Sequence, residues 1–258
     1  MAPPSPAPGD PQQWILGPGR AARAVRVTEP AELPAALTAL GLARPRPVLV
    51  LVGGAAGLDP ALGPTLAGLF RALGPVLRAA GAVVLDGGTR AGVMALMGEA
   101  AAEIGIPLLG VAAIGTVRVP QTGLRGVAPA SATDHRADLD PGHDRFLLVP
   151  GEDWGDESPW LAAAASVLAD GLPNLTLVAG GGAVTARDLH EGLRLGRPAL
   201  VLAGTGGIAD ALTAHLRAGG PPPIDLPFDA ARCIETMDLR LAARDLPHLL
   251  RRTLGGQD

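Results

Sequence analysis

The residues with the clearest chemical meaning in this chain form a glycine-rich loop at positions 86–94, Asp-Gly-Gly-Thr-Arg-Ala-Gly-Val-Met. An apolar run precedes the loop at 82–85, and a stretch with helical character follows it to residue 103. A strand that passes through glycines into a helix leaves backbone N–H groups uncovered at the helix N-terminus, where they bind phosphate or another anion. The loop therefore predicts a ligand site made of Asp86, Gly87, Gly88, Thr89, Arg90, Gly92, Val93 and Met94.

Each charged residue in or near this loop has two possible roles. Arg90 is either a forked partner for a phosphate or a solvated residue at a helix start. Asp86 either accepts a hydrogen bond from a ribose hydroxyl or caps the following helix. His143 precedes another apolar run, and we include it as a ligand contact against the alternative of an ordinary surface residue.

Glycine-rich loops also follow other apolar runs. They contribute the remaining predicted ligand-binding residues, which are Gly53, Gly54, Ala55, Gly115, Thr116, Gly180, Gly181, Gly182, Gly204, Thr205 and Gly206. The loop at 150–157 is different, because it is rich in carboxylates and contains Trp154. Its acidic groups either shape a sugar or cation site or serve as charges at a helix start, and Trp154 is a candidate to stack on a base.

Six apolar runs, at 48–52, 82–86, 107–113, 146–149, 175–178 and 199–202, alternate with segments of helical spacing. Continuous apolar strands that alternate with helices predict an α/β fold, a Rossmann-like three-layer sandwich whose mainly parallel sheet carries helices on both faces. The glycine loops then fall at the carboxyl edge of the sheet, where such folds bind ligands. Residues 117–142 show no clear pattern and form a long excursion.

Composition excludes several classes of function. The net charge is −4, aromatic residues make up 2%, and all 21 basic residues are arginine, so we predict no nucleic-acid partner and no P-loop. No apolar stretch approaches the roughly 18–20 residues that span a membrane, which predicts a cytoplasmic protein with no membrane insertion. The five histidines lack metal-ligand spacing, so no metal site is expected, and the single cysteine, Cys233, is expected to be a packed thiol.

The order of the loops resembles the SLOG superfamily, and in particular the prokaryotic relatives of the cytosolic N-terminal domain of melastatin-type TRP channels. The resemblance covers about residues 48–212 and depends on the combined order of the motifs. It implies a domain that binds nucleotide-derived ligands such as ADP-ribose or an NAD-derived compound, with no required cofactor. A homodimer is common among such proteins, but the residues do not decide the oligomeric state.

Related phosphoribohydrolases carry a Pro-Gly-Gly-x-Gly-Thr-x-x-Glu motif and hydrolyse nucleoside monophosphates. When the motif begins at Ala179, Arg187 occupies the position of the catalytic glutamate. Arginine can neither stabilise an oxocarbenium-like charge nor activate water. In the channel domains the strand after the excursion is preceded by Asn-His-Ser-His, of which only His143 carries over.

We therefore predict a flexible segment rich in proline and glycine at residues 1–24, followed by a single SLOG-like domain at 25–258 that ends in a helical tail. Its expected function is to bind or sense a nucleotide-derived ligand. The alternative is a nucleotide-processing enzyme, an N-glycosidase that uses Asp86, Asp153, Asp156 or Glu157 in place of the missing glutamate. A partner-binding domain is the third hypothesis, suggested by the proline-rich N-terminus.

Overall fold

A computed structural model describes residues 9–55, 57–120, 135–227 and 230–255. The strands within these residues are β1 Gln12–Gly17, β2 Arg20–Arg26, β3 Val48–Gly53, β4 Val83–Asp86, β5 Leu108–Ala113, β6 Val117–Arg118, β7 Ala137–Asp138, β8 Arg145–Val149, β9 Asn174–Ala179, β10 Ala199–Ala203 and β11 Ile234–Asp238. The α-helices are α1 Leu33–Ala39, α2 Gly63–Ala79, α3 Gly92–Ile104, α4 Ser158–Ala169, α5 Ala183–Arg194, α6 Gly207–Ala218 and α7 Leu239–Leu254. Short 3-10 turns at Pro30–Glu32, Pro60–Leu62 and Ala230–Cys233 lead into α1, α2 and β11.

The main sheet has the strand order β1-β2-β8-β5-β4-β3-β9-β10-β11. Every neighbouring pair from β2 to β11 is parallel, and β1 joins β2 antiparallel at one edge. Helices cover both faces, which confirms the predicted α/β fold with a mainly parallel sheet. The chain runs outward from β3 through β4, β5 and β8, and then returns to β9 on the other side of β3. The switch point of the sheet is therefore the junction of β3 and β9.

The alternation of valine and leucine in the strands explains how both faces are filled. In β3, Val48, Val50 and Val52 pack with α1, α4, α5 and α6, whereas Leu49 and Leu51 pack with α2, α3 and α7. All five side chains are at most 3% exposed, as expected for a central strand with a helix layer on each side. The apolar run at 48–52 therefore holds both helix layers against one strand.

The N-terminal region differs from the sequence prediction. Residues 12–17 and 20–26 form the β1–β2 hairpin instead of belonging to a flexible segment that ends at residue 24, and residues 1–8 lie outside the described residues. Trp14 is 5% exposed and lies against Phe146 of β8, with ring centroids 6.0 Å apart. The hairpin is ordered because it covers apolar surface of β5 and β8, together with Val117 and Leu139 from the excursion.

The C-terminal region and the excursion also add features that the sequence analysis did not predict. β11 pairs with β10 and is followed by α7, which is the predicted helical tail. Cys233 is exposed, so the expectation of a packed thiol was wrong; it lies in the turn that leads into this outer strand. β6 and β7 form a two-stranded parallel pair at the two ends of the excursion, and residues 121–134 between them are outside the described residues. No helix in the described parts of the chain is long and apolar enough to cross a membrane.

The start of α3 allows a test of how tightly the strand-end loops are packed. Gly92 has φ +49°, and a Cβ atom on it would overlap the carbonyl oxygen of Gly54. Gly105 ends the same helix at φ +78°, with open space where its Cβ would lie. We expect Gly105→Ala to lower the free energy of unfolding by about 1 kcal/mol, because only the backbone conformation is strained. Gly92→Ala should cost about 3 kcal/mol or more, because backbone must also move.

Urea unfolding of the two variants and the wild type measures this difference. Equal stability of Gly92→Ala and Gly105→Ala would show that the loops after β3 and β4 are not in the close contact described.

Candidate functional site

A cavity of about 430 Å³ opens at the carboxyl ends of β3, β4 and β5. The loop between β8 and α4 and the first turns of α5 complete its wall, through Trp154, Glu157, Thr185 and Asp188. The cavity therefore lies at the switch point between β3 and β9, where α/β sheets of this topology bind ligands. Its volume is in the lower part of the range of roughly 300–1,000 Å³ that is common for small-molecule sites.

The predicted ligand-binding residues divide into two groups. Those that line the cavity are Gly53, Ala55, Gly87, Thr89, Met94 and Thr116. Those that do not line it are Gly54, Asp86, Gly88, Arg90, Gly92, Val93, Gly115, His143, Gly180, Gly181, Gly182, Gly204, Thr205 and Gly206. Loops after β3, β4 and β5 thus meet at the cavity, whereas the loop after β10 lies outside it.

The loop at 86–94 uses many of its own backbone donors. The N–H of Gly88 donates to the Asp86 carboxylate, that of Arg90 to the carbonyl of Asp138, and that of Val93 to the carbonyl of Gly54, at 2.7, 2.8 and 3.0 Å. Val93 is in the first turn of α3, so the N-terminal donors that were expected to bind an anion are partly occupied by protein. This loop shapes the cavity wall more than it supplies donors to a ligand.

The glycine loops after β9 and β10 are bonded to each other in the same way. The carbonyl of Gly181 accepts from Ile208 at the start of α6, and the N–H of Gly180 donates to the Thr205 hydroxyl. The N–H groups of Gly204 and Gly206 donate to the Asp210 carboxylate. In α5, by contrast, the N–H groups of residues 183–185 have no hydrogen-bond acceptor within the described parts of the chain. Of these residues, Val184 and Thr185 line the cavity.

His143 is buried behind the cavity between two carboxylates. Its Nε2 lies 2.7 Å from an Asp86 oxygen and its Nδ1 lies 2.9 Å from an Asp140 oxygen, and the imidazole and Asp86 side chains are fully buried. Its ring also stacks on Phe146 with centroids 5.5 Å apart. His143 is thus not a surface residue, and it connects the end of β4 to the end of the excursion. The other Asp86 oxygen is buried without a hydrogen-bond partner in the described residues.

Two electrostatic effects act on this imidazole in opposite directions. Burial alone lowers the pKa of His143, but the Asp86 charge and the hydrogen bonds to Asp140 and Asp86 outweigh it and raise the pKa to about 9. The imidazole is therefore protonated at neutral pH and holds the two carboxylates together. Asp140 also accepts from the N–H of Gly142, and its own N–H donates to the carbonyl of Gly88. The cluster fixes the described end of the excursion, at Asp140 and Gly142, against the glycine loop that lines the cavity.

A second group of ionisable side chains lies in the cavity wall itself. Glu157 is 6% exposed and accepts from the N–H of Gly155, and Asp188 accepts from the buried Ser158 hydroxyl at 2.6 Å. Burial raises the pKa of both carboxyls. For Asp188 the pKa reaches about 7, because the neighbouring Glu157 charge adds to burial while the Ser158 hydroxyl and Arg187 act against it. Carboxyls with raised pKa values in a cleft are a common feature of functional sites.

Arg187 lies outside the cavity. Its guanidinium is about half exposed and is 3.6 Å from the Asp156 carboxylate. The next residue, Asp188, faces the cavity one position further along α5. If the phosphoribohydrolase motif begins at Gly180 instead of Ala179, Thr185 matches its threonine and Asp188 takes the position of its glutamate. The one-residue shift was the signal that the sequence analysis missed.

The chain has a Rossmann-like α/β fold with a candidate site at the switch point of its parallel sheet. A family model described as "SLOG in TRPM, prokaryote" matches residues 46–240 of the 258. The chain belongs to this family, which confirms the resemblance seen in the motifs. No curated protein matches the chain in sequence.

A solved structure supports the same fold. The X-ray structure of TM1055, a structural-genomics target, has 22% sequence identity and a TM-score of 0.51, over 78% of this chain and 98% of that chain. A molybdenum cofactor binding protein from the phototrophic bacterium Rippkaea orientalis has 15% identity and a TM-score of 0.44, over 74% of this chain and 93% of that one.

The buried histidine predicts a particular pH dependence of stability. Because the pKa of His143 is raised in the folded state, its contribution is fully present below pH 6.5 and is lost as the pH rises to about 9. We expect the wild type to lose up to about 3 kcal/mol of unfolding free energy across this window through this group. Replacement His143→Gln should remove that part of the pH dependence and lower stability at pH 6.

Urea unfolding at intervals from pH 6 to 9 measures both profiles. A matched control is His248→Gln on the exposed side of α7, which should leave the profile unchanged. Parallel profiles of the wild type and His143→Gln would contradict a protonated imidazole between the two aspartates.

Proposed function

We propose that this protein binds a nucleotide-derived ligand, with its phosphate at the first turn of α5 and its nucleoside part in the cavity. The observation that carries the proposal is the cavity at the switch point, which combines an apolar wall with the start of a helix. Val184 and Thr185 bring the N-terminus of α5 to the cavity, and the positive end of a helix favours an anion there. Membership of the SLOG family makes a small-molecule ligand the expected partner.

The apolar surface of the cavity suits the flat faces of a base and a sugar. Leu51, Val52 and Met94 contribute to the wall, and the exposed Trp154 lies at the same opening. Glu157 and Asp188 add hydrogen-bond acceptors for ribose hydroxyl groups. The arrangement supports the proposal, because carboxylate acceptors and uncovered N–H donors lie at different parts of one cavity wall.

Calorimetry and thermal shift with ADP-ribose, NAD and cyclic nucleotides test this function. We expect Val184→Glu to weaken binding at least about tenfold, because its carboxylate would repel a phosphate at the first turn of α5. Val184→Gln has the same shape without the charge and is the matched control, which should stay within about threefold of wild type. The absence of heat and of thermal shift with every ligand of the panel would exclude the proposed function.

A second candidate function is hydrolysis at an N-glycosidic bond, and the Glu157–Asp188 pair is the observation that favours it. With a pKa of about 7, Asp188 carries a proton on a large fraction of molecules near neutral pH and can donate it to a departing base. Glu157 can stabilise the positive charge that develops on the sugar or orient a water. Of the carboxylates predicted from the sequence for this reaction, only Glu157 lines the cavity, and Asp188 is the second member of the pair.

Chromatography of a nucleotide panel after incubation distinguishes hydrolysis from binding. If the enzyme function holds, Asp188→Asn should lower the rate about 10²-fold or more while ligand binding persists, because the amide fits beside Ser158 but donates no acidic proton. Asp153→Asn makes the same substitution on the acidic loop that carries Glu157, outside the cavity lining, and should retain the rate. No release of base or ribose phosphate by the wild type would leave binding as the function.

A further inference from the structure

The charges in the cavity wall are of one sign. Glu157 and Asp188 line the cavity, and among the described residues no arginine or histidine side chain lines it. The nearby Arg187 extends toward Asp156 and is about half exposed. Arg187 acts on both carboxylates from outside the cavity, but no cationic side chain of the described residues faces them from the cavity lining, and this favours a positively charged group on the ligand.

An aromatic surface lies at the same opening. Trp154 is 47% exposed, although tryptophan is usually well covered in folded proteins. The loop that carries it is held in place, because Asp156 accepts from the N–H groups of Glu152 and Asp153 and Glu157 accepts from the N–H of Gly155. The exposed indole of Trp154 is therefore carried by a loop that hydrogen bonds hold in place. An indole face attracts cations and stacks on planar rings.

From this arrangement we propose that the cavity selects a planar aromatic cation, stacked on Trp154 with its charge next to Glu157 and Asp188. The inference rests on the proposed function, because among nucleotide-derived ligands this group is a quaternised heteroaromatic ring such as the pyridinium ring of an oxidised nicotinamide nucleotide. Such a ring meets both conditions at once, whereas a neutral base meets only the stacking condition. A phosphate would be repelled by the carboxylates and belongs at the start of α5.

The comparison of NAD⁺ with NADH tests the recognition of an aromatic cation, because the two ligands differ by one hydride, which removes both the positive charge and the aromaticity of the nicotinamide ring. Calorimetry on the full chain with NAD⁺, NADH and ADP-ribose should give an affinity for NAD⁺ about tenfold higher than for NADH. Quenching of tryptophan fluorescence by NAD⁺ should be lost in Trp154→Phe, which keeps an aromatic face. The buried Trp14 and the partly buried Trp160 both remain in that variant and give its reference emission.

Two variants test the carboxylates independently. Asp188→Asn and Glu157→Gln should each bring the NAD⁺ to NADH affinity ratio toward one, and either suffices if the other fails to fold. Asp153→Asn removes the same charge from the same loop outside the cavity lining and should keep the ratio. Equal affinity for NAD⁺ and NADH, or a ratio unchanged in both variants, would overturn the inference and leave the proposed function standing. If none of the three ligands binds, this inference fails, and the proposed function fails with it only when the cyclic nucleotides of its panel do not bind either.

Discussion

Hydrogen bonds between the backbones of the glycine loops are the constraint on which the site depends. The Gly54 N–H donates to Ala179 at the end of β9, its carbonyl accepts from Val93 at the start of α3, and Gly181 accepts from Ile208 at the start of α6. These bonds join the carboxyl ends of four neighbouring strands into one layer of backbone. They also occupy donors at the starts of α3 and α6, through Val93 and Ile208, whereas the N–H groups of residues 183–185 at the start of α5 have no acceptor among the described residues.

The central sheet could be predicted because its strands have a physical signature in the sequence. Runs such as residues 48–52 are apolar throughout since both faces are covered, and glycines mark the points where each strand ends. The outer strands lack that signature. β1 reads Gln-Gln-Trp-Ile-Leu-Gly, β2 reads Arg-Ala-Ala-Arg-Ala-Val-Arg and β11 reads Ile-Glu-Thr-Met-Asp, because each is covered less completely than a central strand. These outer strands form because they pack against residues distant in sequence, as Trp14 packs against Phe146.

The glycine pattern also located the edge of the sheet that carries the cavity and some residues of its lining, but it did not identify Asp188 or the surroundings of His143. His143 was expected at the surface or against a ligand, and its burial depends on Asp86 and Asp140, which approach it from different elements. Asp188 matches the glutamate of the phosphoribohydrolase motif only when the motif is aligned one residue later. That shift matters because neighbouring positions on a helix point about 100° apart. That rotation sends Arg187 toward Asp156 outside the cavity and leaves Asp188 in the cavity wall.

Hydrolysis of an N-glycosidic bond and binding of an aromatic cation require different protonation states of Asp188. Protonation of a neutral leaving base requires the acid form, which the raised pKa of about 7 supplies. A pyridinium ring requires the ionised form, and its positive charge would lower the pKa of Asp188 on binding. Such a ring also leaves a sugar as a neutral molecule, so it needs no proton from the protein. With a cationic ligand, the ionised pair would therefore serve both binding and the stabilisation of positive charge on the sugar, and the charge of the ligand determines which form of Asp188 is the functional one.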